Sequence, residues 1–256
     1  MRSMVAATSE ELSSGCVRPV EEAQSISLLY TKIRRVPERI FAISLFVCSL
    51  PIQAAIYALV RLTSKGPGIY RQTRVGLGGQ KFVLYKFRTM RVDAEVGSGP
   101  VWSQPGDDRV TPIGTFLRWS HLDELPQLVN VIAGRMSLIG PRPGRPEFTE
   151  VLSQQIPGYL SRLNVPPGIT GLAQVILPAD SSVESVKEKL ELDLEYIRRA
   201  SPWLDLQILF CTGLRLVGVR NRFAKRILLS SPNRRAGLQN RPDGIEEAVL
   251  IGNSSR

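Results

Sequence analysis

Cysteine and histidine are nearly missing from this 256-residue chain, and their scarcity removes several chemistries at once. The three cysteines, Cys16, Cys48 and Cys211, lie far apart with no CxxC pair, so neither a disulfide framework nor a cysteine-ligated zinc site is indicated. The single histidine, His121, leaves little material for histidine-based metal centres or nucleophile–histidine triads. Internal repeats are also lacking. A charged content of 22% against 43% hydrophobic excludes wholesale disorder. What the chain has in excess is positive charge: 33 Lys and Arg stand against 23 Asp and Glu, a formal +10. A basic chain of this length is weighed first as a nucleic-acid binder.

The distribution of that charge argues otherwise. By segment, residues 1–29 carry −2, 30–39 carry +3, 40–60 carry 0, 61–91 carry +8, 92–214 carry −5, 215–242 carry +8 and 243–256 carry −2. The basic residues bracket apolar stretches and no nucleic-acid module is recognisable, so no nucleic-acid partner is expected. The uncharged segment Ile40 to Val60 is 21 residues long, and as a helix it would extend about 30 Å, the thickness of a bilayer core. Pro51 stands in its middle, where it removes a backbone hydrogen bond. Both flanks are basic, Lys32, Arg34, Arg35 and Arg39 before it and Arg61, Lys65, Arg71 and Arg74 after it. Flanking cations mark the cytoplasmic side, here twice. A helix broken at Pro51 that enters and leaves the same leaflet satisfies both facts; a buried soluble helix and a single-pass anchor are the alternatives.

The remaining pattern predicts a mobile N-terminal tail over residues 1–29, the membrane hairpin over 30–65, a catalytic domain over 66–222 and a basic disordered tail over 223–256. Strands are expected over Ile69 to Val75 and Lys81 to Phe87, separated by Gly76, Gly78 and Gly79. Helices are expected near Leu125 to Ala133 and over Glu184 to Arg199. Trp203 to Val219 is a further apolar stripe followed by Arg220, Arg222, Lys225 and Arg226, which reads equally as an interfacial or a core helix.

The densest chemistry lies in Ser120-His-Leu-Asp-Glu-Leu-Pro-Gln127. Pro126 favours a first helical turn, which puts Asp123 and Glu124 at a helix N-terminus. Such a pair serves as helix caps, or as a nucleophile with a metal ligand or an acid/base pair. Two Gly/Pro loops follow, Met136 to Pro143, which presents Arg142, and Pro167 to Gly171. Guanidinium groups suit phosphate. Lys86, Arg88 and Arg91 suit either substrate phosphate or anionic lipid headgroups.

Together, Tyr85-Lys-Phe-Arg-Thr-Met90, Leu122-Asp-Glu-Leu-Pro-Gln127, Met136-Ser-Leu-Ile-Gly-Pro-Arg-Pro143 and Pro167-Gly-Ile-Thr-Gly-Leu-Ala-Gln-Val175 resemble the bacterial sugar transferases, small monotopic polyprenyl-phosphate glycosylphosphotransferases. Gly99 to Trp102 and Arg145 to Phe148 are closest to the exopolysaccharide-type members. The resemblance covers about Arg39 to Val217. It implies a compact α/β catalytic domain, mostly helical with a short β-hairpin, carried on a re-entrant membrane helix with interfacial amphipathic helices at the cytoplasmic face of the bacterial inner membrane. It implies transfer of a sugar-1-phosphate from a UDP-sugar to undecaprenyl phosphate with release of UMP. Asp123 would be the nucleophile, Glu124 a ligand to Mg²⁺, and Lys86, Arg88, Arg118, Arg142 and Arg145 the phosphate-binding cations, with Pro51 as the hairpin break. His121 is read as packing.

The chain departs from the family at three places. Leu50-Pro51 replaces the usual Ser-Pro, Ala42 replaces an acidic residue, and Pro166 replaces an arginine for which Arg162 or Arg145 would have to substitute. These keep open a second reading, a non-catalytic membrane-surface protein binding anionic lipid or a glycan-assembly partner. Sugar identity and oligomeric state, a homo-oligomer included, are not legible.

Overall fold

Alternation and glycine turns make the most local element. Tyr70, Gln72 and Arg74 alternate with Arg71, Thr73 and Val75 along β1 (Ile69–Val75), and a 3₁₀ turn over Leu77–Gly79 returns the chain into β2 (Lys81–Phe87). The strands pair antiparallel, Tyr70 opposite Lys86 and Arg74 opposite Phe82. Both strands have the expected limits. In a computed structural model, residues 20–96, 101, 106–180, 182–216, 218, 224 and 226–228 are described. The expected disordered tail lies largely outside them. So do Gly99 and Trp102 of the exopolysaccharide-type loop, and Arg220 and Arg222.

Helices carry most of the structure. Before the hairpin come α1 (Val20–Ile33) and α2 (Arg35–Thr63); after it come α3 (Pro112–Trp119), a 3₁₀ helix over Leu122–Gln127 and α4 (Leu128–Ile132). Next are β3 (Ser137–Ile139), α5 (Pro146–Gln155), a 3₁₀ helix over Tyr159–Asn164, β4 (Gly168–Thr170), α6 (Leu172–Ile176), α7 (Val183–Arg199) and α8 (Pro202–Leu216). The mostly helical α/β expectation therefore holds. Three boundaries need correction. Residues 20–29, read as tail, belong to α1, where Ser27 and Tyr30 bond Ile197 and Asp205. Ala224 and Leu228 are buried in the largest core cluster, so the C-terminal tail cannot start at residue 223. The helix expected near Leu125 starts at Leu122, and its first turn is 3₁₀.

The break expected at Pro51 is also absent: α2 remains helical over all 29 of its residues. Packing accounts for this. Ala42, Ser49, Gln53, Ile56 and Val60 form a buried stripe at heptad-like spacing. Its first end packs with Phe82, Leu128, Val131 and Met136, its last end with Phe87 and Leu117. Around Pro51 the Gln53 amide donates to Ser49 Oγ at 2.9 Å, and Ser49 Oγ donates to the Phe46 carbonyl. The opposite face leaves Ile40, Phe41, Val47, Leu50, Ile52 and Leu62 exposed. Covering a large apolar side chain is worth about 1.5–3 kcal/mol, so this face needs an apolar cover. Among the described residues α2 is the one helix long and apolar enough to span a membrane. Its Ala42 is fully buried among apolar groups, which explains why no acid is needed there.

A buried polar junction fixes the start of α2. The Arg34 guanidinium donates to Asp205 and Tyr196, and through Nη2 to Ser137 Oγ at 2.9 Å and the Ile139 carbonyl at 2.6 Å. Glu38 accepts from Ser137 Oγ and the Leu138 N–H. The apolar helix α2 is thereby tied to β3, which leads into the Gly140-Pro-Arg-Pro loop.

On the other side α8 buries Leu204, Asp205, Ile208 and Cys211, while Trp203, Leu206, Leu209 and Phe210 face outward. It serves the core with one face, as the core reading expected, and leaves a second apolar face exposed. Phe116 and Trp119 on α3 are exposed likewise.

Glycine is required where α3 meets the strand end. A Cβ at Gly114 would lie 2.1 Å from the Thr89 carbonyl oxygen. Gly114→Ala should therefore push α3 outward and destabilise the domain by about 2 kcal/mol or more, seen as a fall of several degrees in melting temperature in detergent.

Candidate active site

Asp123 and Glu124 occupy the first turn of the 3₁₀ helix that follows α3. His121 makes this possible. It takes a left-handed conformation, φ 54°, which turns the chain sharply from α3 into the 3₁₀ helix. Its imidazole is held neutral, since burial lowers its pKa against the opposing field of Glu124. Packing, as read from the sequence, remains its proposed role. Asn130 locks the following helix to the hairpin by accepting from Tyr85 N–H at 3.2 Å and donating to the Val83 carbonyl at 2.7 Å. The dyad is thus set against β2, the strand that carries Lys86.

Asp123 is 7% exposed. Burial pushes its pKa up to about 6, and the neighbouring Glu124 carboxylate adds to the rise; Lys86, Arg142 and Arg118 oppose it. Glu124 behaves differently. Burial would raise its pKa too, but Arg142 outweighs that, helped by a 2.7 Å hydrogen bond from Arg142 Nη2 to Glu124 Oε1, and the carboxylate stays well ionised. Lys86 is pushed down to about 8 by burial, with Arg74, Arg142 and Arg118 adding to the fall and Asp123 opposing it. Arg74 is pushed down to about 10 by burial and by Arg142 and Arg145. Cations this crowded and carboxylates this desolvated favour an anionic guest with a partly protonated host.

The two Gly/Pro loops are brought side by side by β3 and β4, a parallel pair with Ser137 opposite Gly168 and Ile139 opposite Thr170. Backbone contact is close: a Cβ at Gly168 would meet Gly140 N at 2.1 Å. The loop that presents Arg142 is then anchored at successive carbonyls. Pro141 accepts from Gly168 N–H at 2.9 Å, Arg142 from Arg162 Nη2 at 3.0 Å, Pro143 from Arg74 Nη1 at 3.0 Å, and Gly144 from Val75 N–H at 2.9 Å.

Of the cations expected to bind phosphate, Lys86, Arg118 and Arg142 surround the dyad electrostatically. Arg88 and Arg145 line the same cavity but hold protein partners. Arg88 Nη2 donates to Ser64 at the end of α2, and its guanidinium packs beneath Gly66. Arg145 makes a two-pronged pair with Glu95, at 2.7 and 3.1 Å. Pro166, which stands in place of the family's arginine, is buried beside Gly140. Sequence reading overlooked Arg74 as a site residue. Period-two alternation would have found it, because Tyr70, Gln72 and Arg74 share one strand face and Lys86 stacks on Tyr70 at 5.3 Å. The cavity measures about 1030 Å³ and extends from Tyr57 on α2, past Arg74, Lys86, Arg118 and Arg142, to Lys189 and Asp193 on α7.

A desolvated carboxylate dyad beside a cation-lined cavity that reaches α2 suits the chemistry of phosphate-bearing molecules. Residues 29–218 match the model of the family described as bacterial sugar transferase, and the chain belongs to that family. It is 39% identical over 188 residues to the UDP-glucose:undecaprenyl-phosphate glucose-1-phosphate transferase of Xanthomonas campestris pv. campestris, covering 73% of this chain and 39% of the relative. A transferase of the same name from Caulobacter vibrioides is 40% identical over 192 residues, covering 74% and 72%. The putative undecaprenyl-phosphate N-acetylgalactosaminyl 1-phosphate transferase of Bacillus subtilis is 52% identical over 134 residues, covering 52% and 74%. The match thus takes in about two-fifths of the Xanthomonas relative and nearly three quarters of the shorter ones.

The raised Asp123 pKa has a stability consequence. A carboxyl easier to protonate when folded contributes stability below about pH 4, and that contribution is lost as pH rises through about 6. Asp123→Asn should therefore be more stable than the unmodified protein near pH 7.5, by on the order of 1–3 kcal/mol, and its melting temperature should fall less between pH 4 and 6. Equal melting curves at pH 7.5 would show that the carboxylate is not strained by burial.

Proposed function

We propose that this protein transfers a sugar-1-phosphate from a UDP-sugar to a polyprenyl phosphate, releasing UMP, as an initiating step of bacterial exopolysaccharide or O-antigen-type glycan synthesis. The observation that carries the reading is the buried Asp123 carboxylate in the field of Lys86, Arg142 and Arg118, three cations that line a cavity reaching the apolar helix. A surface that only attracts anionic lipid has no use for a desolvated dyad.

In this reading Asp123 attacks the phosphorus that bears the sugar. A bond forms between its carboxylate oxygen and that phosphorus, the bond to the UMP oxygen breaks, and UMP leaves with the electron pair. An oxygen of the polyprenyl phosphate then attacks the same phosphorus and returns Asp123 as carboxylate. Splitting the transfer lets a water-soluble donor and a lipid acceptor use one site in turn. Lys86, Arg118 and Arg142 offset the charge of the diphosphate as the anionic nucleophile approaches. Arg145 joins them only by exchanging Glu95 for phosphate, whereas Arg88 holds Ser64 through Nη2 alone and keeps Nε and Nη1 without a protein partner.

Mg²⁺ fits the donor set. Among the described residues no three His, Cys, Asp or Glu side chains form a metal cluster, and magnesium commonly takes one or two carboxylates together with substrate phosphate oxygens. Glu124 would hold it beside Asp123, where the ion would supply further charge neutralisation to the phosphates.

The membrane attachment is proposed as re-entrant at the cytoplasmic face of the inner membrane, with α2 dipping into one leaflet and bending at Pro51 without losing its helix. Support comes from the burial of both ends of its stripe against one domain, since a perpendicular crossing would carry one end away.

Three outcomes test the proposal. Asp123→Ala should abolish UMP release from membranes given UDP-sugar and undecaprenyl phosphate, and undiminished release would remove the nucleophile. Glu124→Gln should raise the magnesium concentration needed for half-maximal rate by about tenfold. Cysteines placed at Val36 and Leu62 in a cysteine-free protein should both react with an impermeant maleimide from the side of the catalytic domain; labelling from opposite sides would mean a crossing.

A further inference from the structure

The far end of the cavity from α2 contains an ion pair that the reaction does not use directly. Asp193, in the middle of α7, is 2% exposed. Its Oδ2 lies 2.6 Å from Arg162 Nη2, whose side chain is only 12% exposed. Arg162 also donates through Nη1 to the Tyr159 hydroxyl at 3.0 Å and stacks over that ring at 5.3 Å. Its Nη2 donates to the Arg142 carbonyl at 3.0 Å. With these partners in place the guanidinium is committed inside the protein. Arg162 therefore does not replace, as a phosphate contact, the arginine that the family has at Pro166.

Burying such a pair is costly, and an apolar pair of similar volume would hold α7 to the neighbouring 3₁₀ helix as well or better. What an apolar pair could not do is grip a main-chain carbonyl. Arg142 stands between Pro141 and Pro143, two residues without N–H groups. In this stretch carbonyls are the main handles available, and Arg162 takes the central one. The guanidinium of Arg142 then reaches Glu124 Oε1 at 2.7 Å.

We propose that Arg162 and Asp193 are positioning residues that clamp the main chain at Arg142, so that its guanidinium meets Glu124 and the donor phosphates from a fixed direction. The inference rests on the catalytic reading given above. Asp193 holds Arg162 in its charged, forked orientation, Arg162 holds the Arg142 carbonyl, and Arg142 faces the dyad. A displacement of about 1 Å at a phosphate-orienting group costs on the order of 100-fold in rate, so the clamp has a large effect without touching substrate.

A double-mutant cycle tests this, read both as kcat/KM for the UDP-sugar and as the dissociation constant of UDP, which is measurable in an inactive protein. Arg162→Met should lower kcat/KM by about 10–100-fold and weaken UDP binding. Asp193→Asn should act in the same direction more mildly. In an Arg142→Ala background, Arg162→Met should change UDP binding by less than about twofold, because the group it positions is gone. Arg162→Lys, which keeps the charge beside Asp193 and guards against a folding failure, should melt within a few degrees of the unmodified protein yet recover little activity. Equal effects of Arg162→Met with and without Arg142, or full activity in Arg162→Lys, would overturn the clamp. If the unmodified protein and Asp123→Ala release UMP alike, the catalytic reading itself fails, which is a separate result.

Discussion

A carboxylate buried next to a second carboxylate is unstable unless cations answer it, and the architecture around Asp123 is organised by that requirement. Burial and Glu124 raise the energy of its charged form, while Lys86, Arg142 and Arg118 lower it. Burial, and then the neighbouring cations, depress the pKa values of Lys86 and Arg74 in turn. The balance leaves a surplus of positive groups around the proposed nucleophile, a carboxyl with its pKa raised to about 6. In the proposed function a diphosphate would relieve the repulsion among the cations and thereby stabilise the site.

Each cation is delivered by a different element, so the fold consists largely of connections between them. The hairpin supplies Arg74 and Lys86 from one strand face, α3 supplies Arg118, and the paired strands β3 and β4 supply Arg142. Asn130 ties the dyad's helix to the hairpin. Arg34 and Glu38 tie the apolar helix to β3. The position of α2 is thereby linked through a few buried groups to the loop that faces the dyad. The relatives' names include glucose, N-acetylgalactosamine and galactosyl transferases, while the chemistry above concerns phosphate alone.

The parts of this arrangement with local causes were legible in the sequence. The β1 and β2 limits follow from alternation and a glycine turn, and α7 from its 3.6-residue period. The dyad, Lys86, Arg118 and Arg142 were found through motif resemblance; the three cations line one cavity and act on the Asp123 carboxylate, and their roles in the reaction are the proposal made above. Features with non-local causes were not legible. Pro51 does not break α2, because the domain supports the helix on both sides of it. Residues 20–29 are helical through contacts with α7 and α8, which their polar composition does not announce. Ala224 and Leu228 join the core from a segment that reads as tail. Arg162 looked like a spare phosphate ligand, and only its partners Asp193, Tyr159 and Arg142 reveal that it is already engaged.

The central claim is that Asp123 becomes covalently bonded to the phosphosugar. Its most direct measurement uses a UDP-sugar labelled at the sugar-bearing phosphorus, incubated with the purified protein in the absence of polyprenyl phosphate, followed by rapid quenching and peptide mapping. The account predicts label on the peptide that contains Asp123, in proportion to the UMP released, and loss of that label when undecaprenyl phosphate is added. UMP formed on addition of acceptor with no labelled protein at any time, or label on a peptide without Asp123, would contradict it.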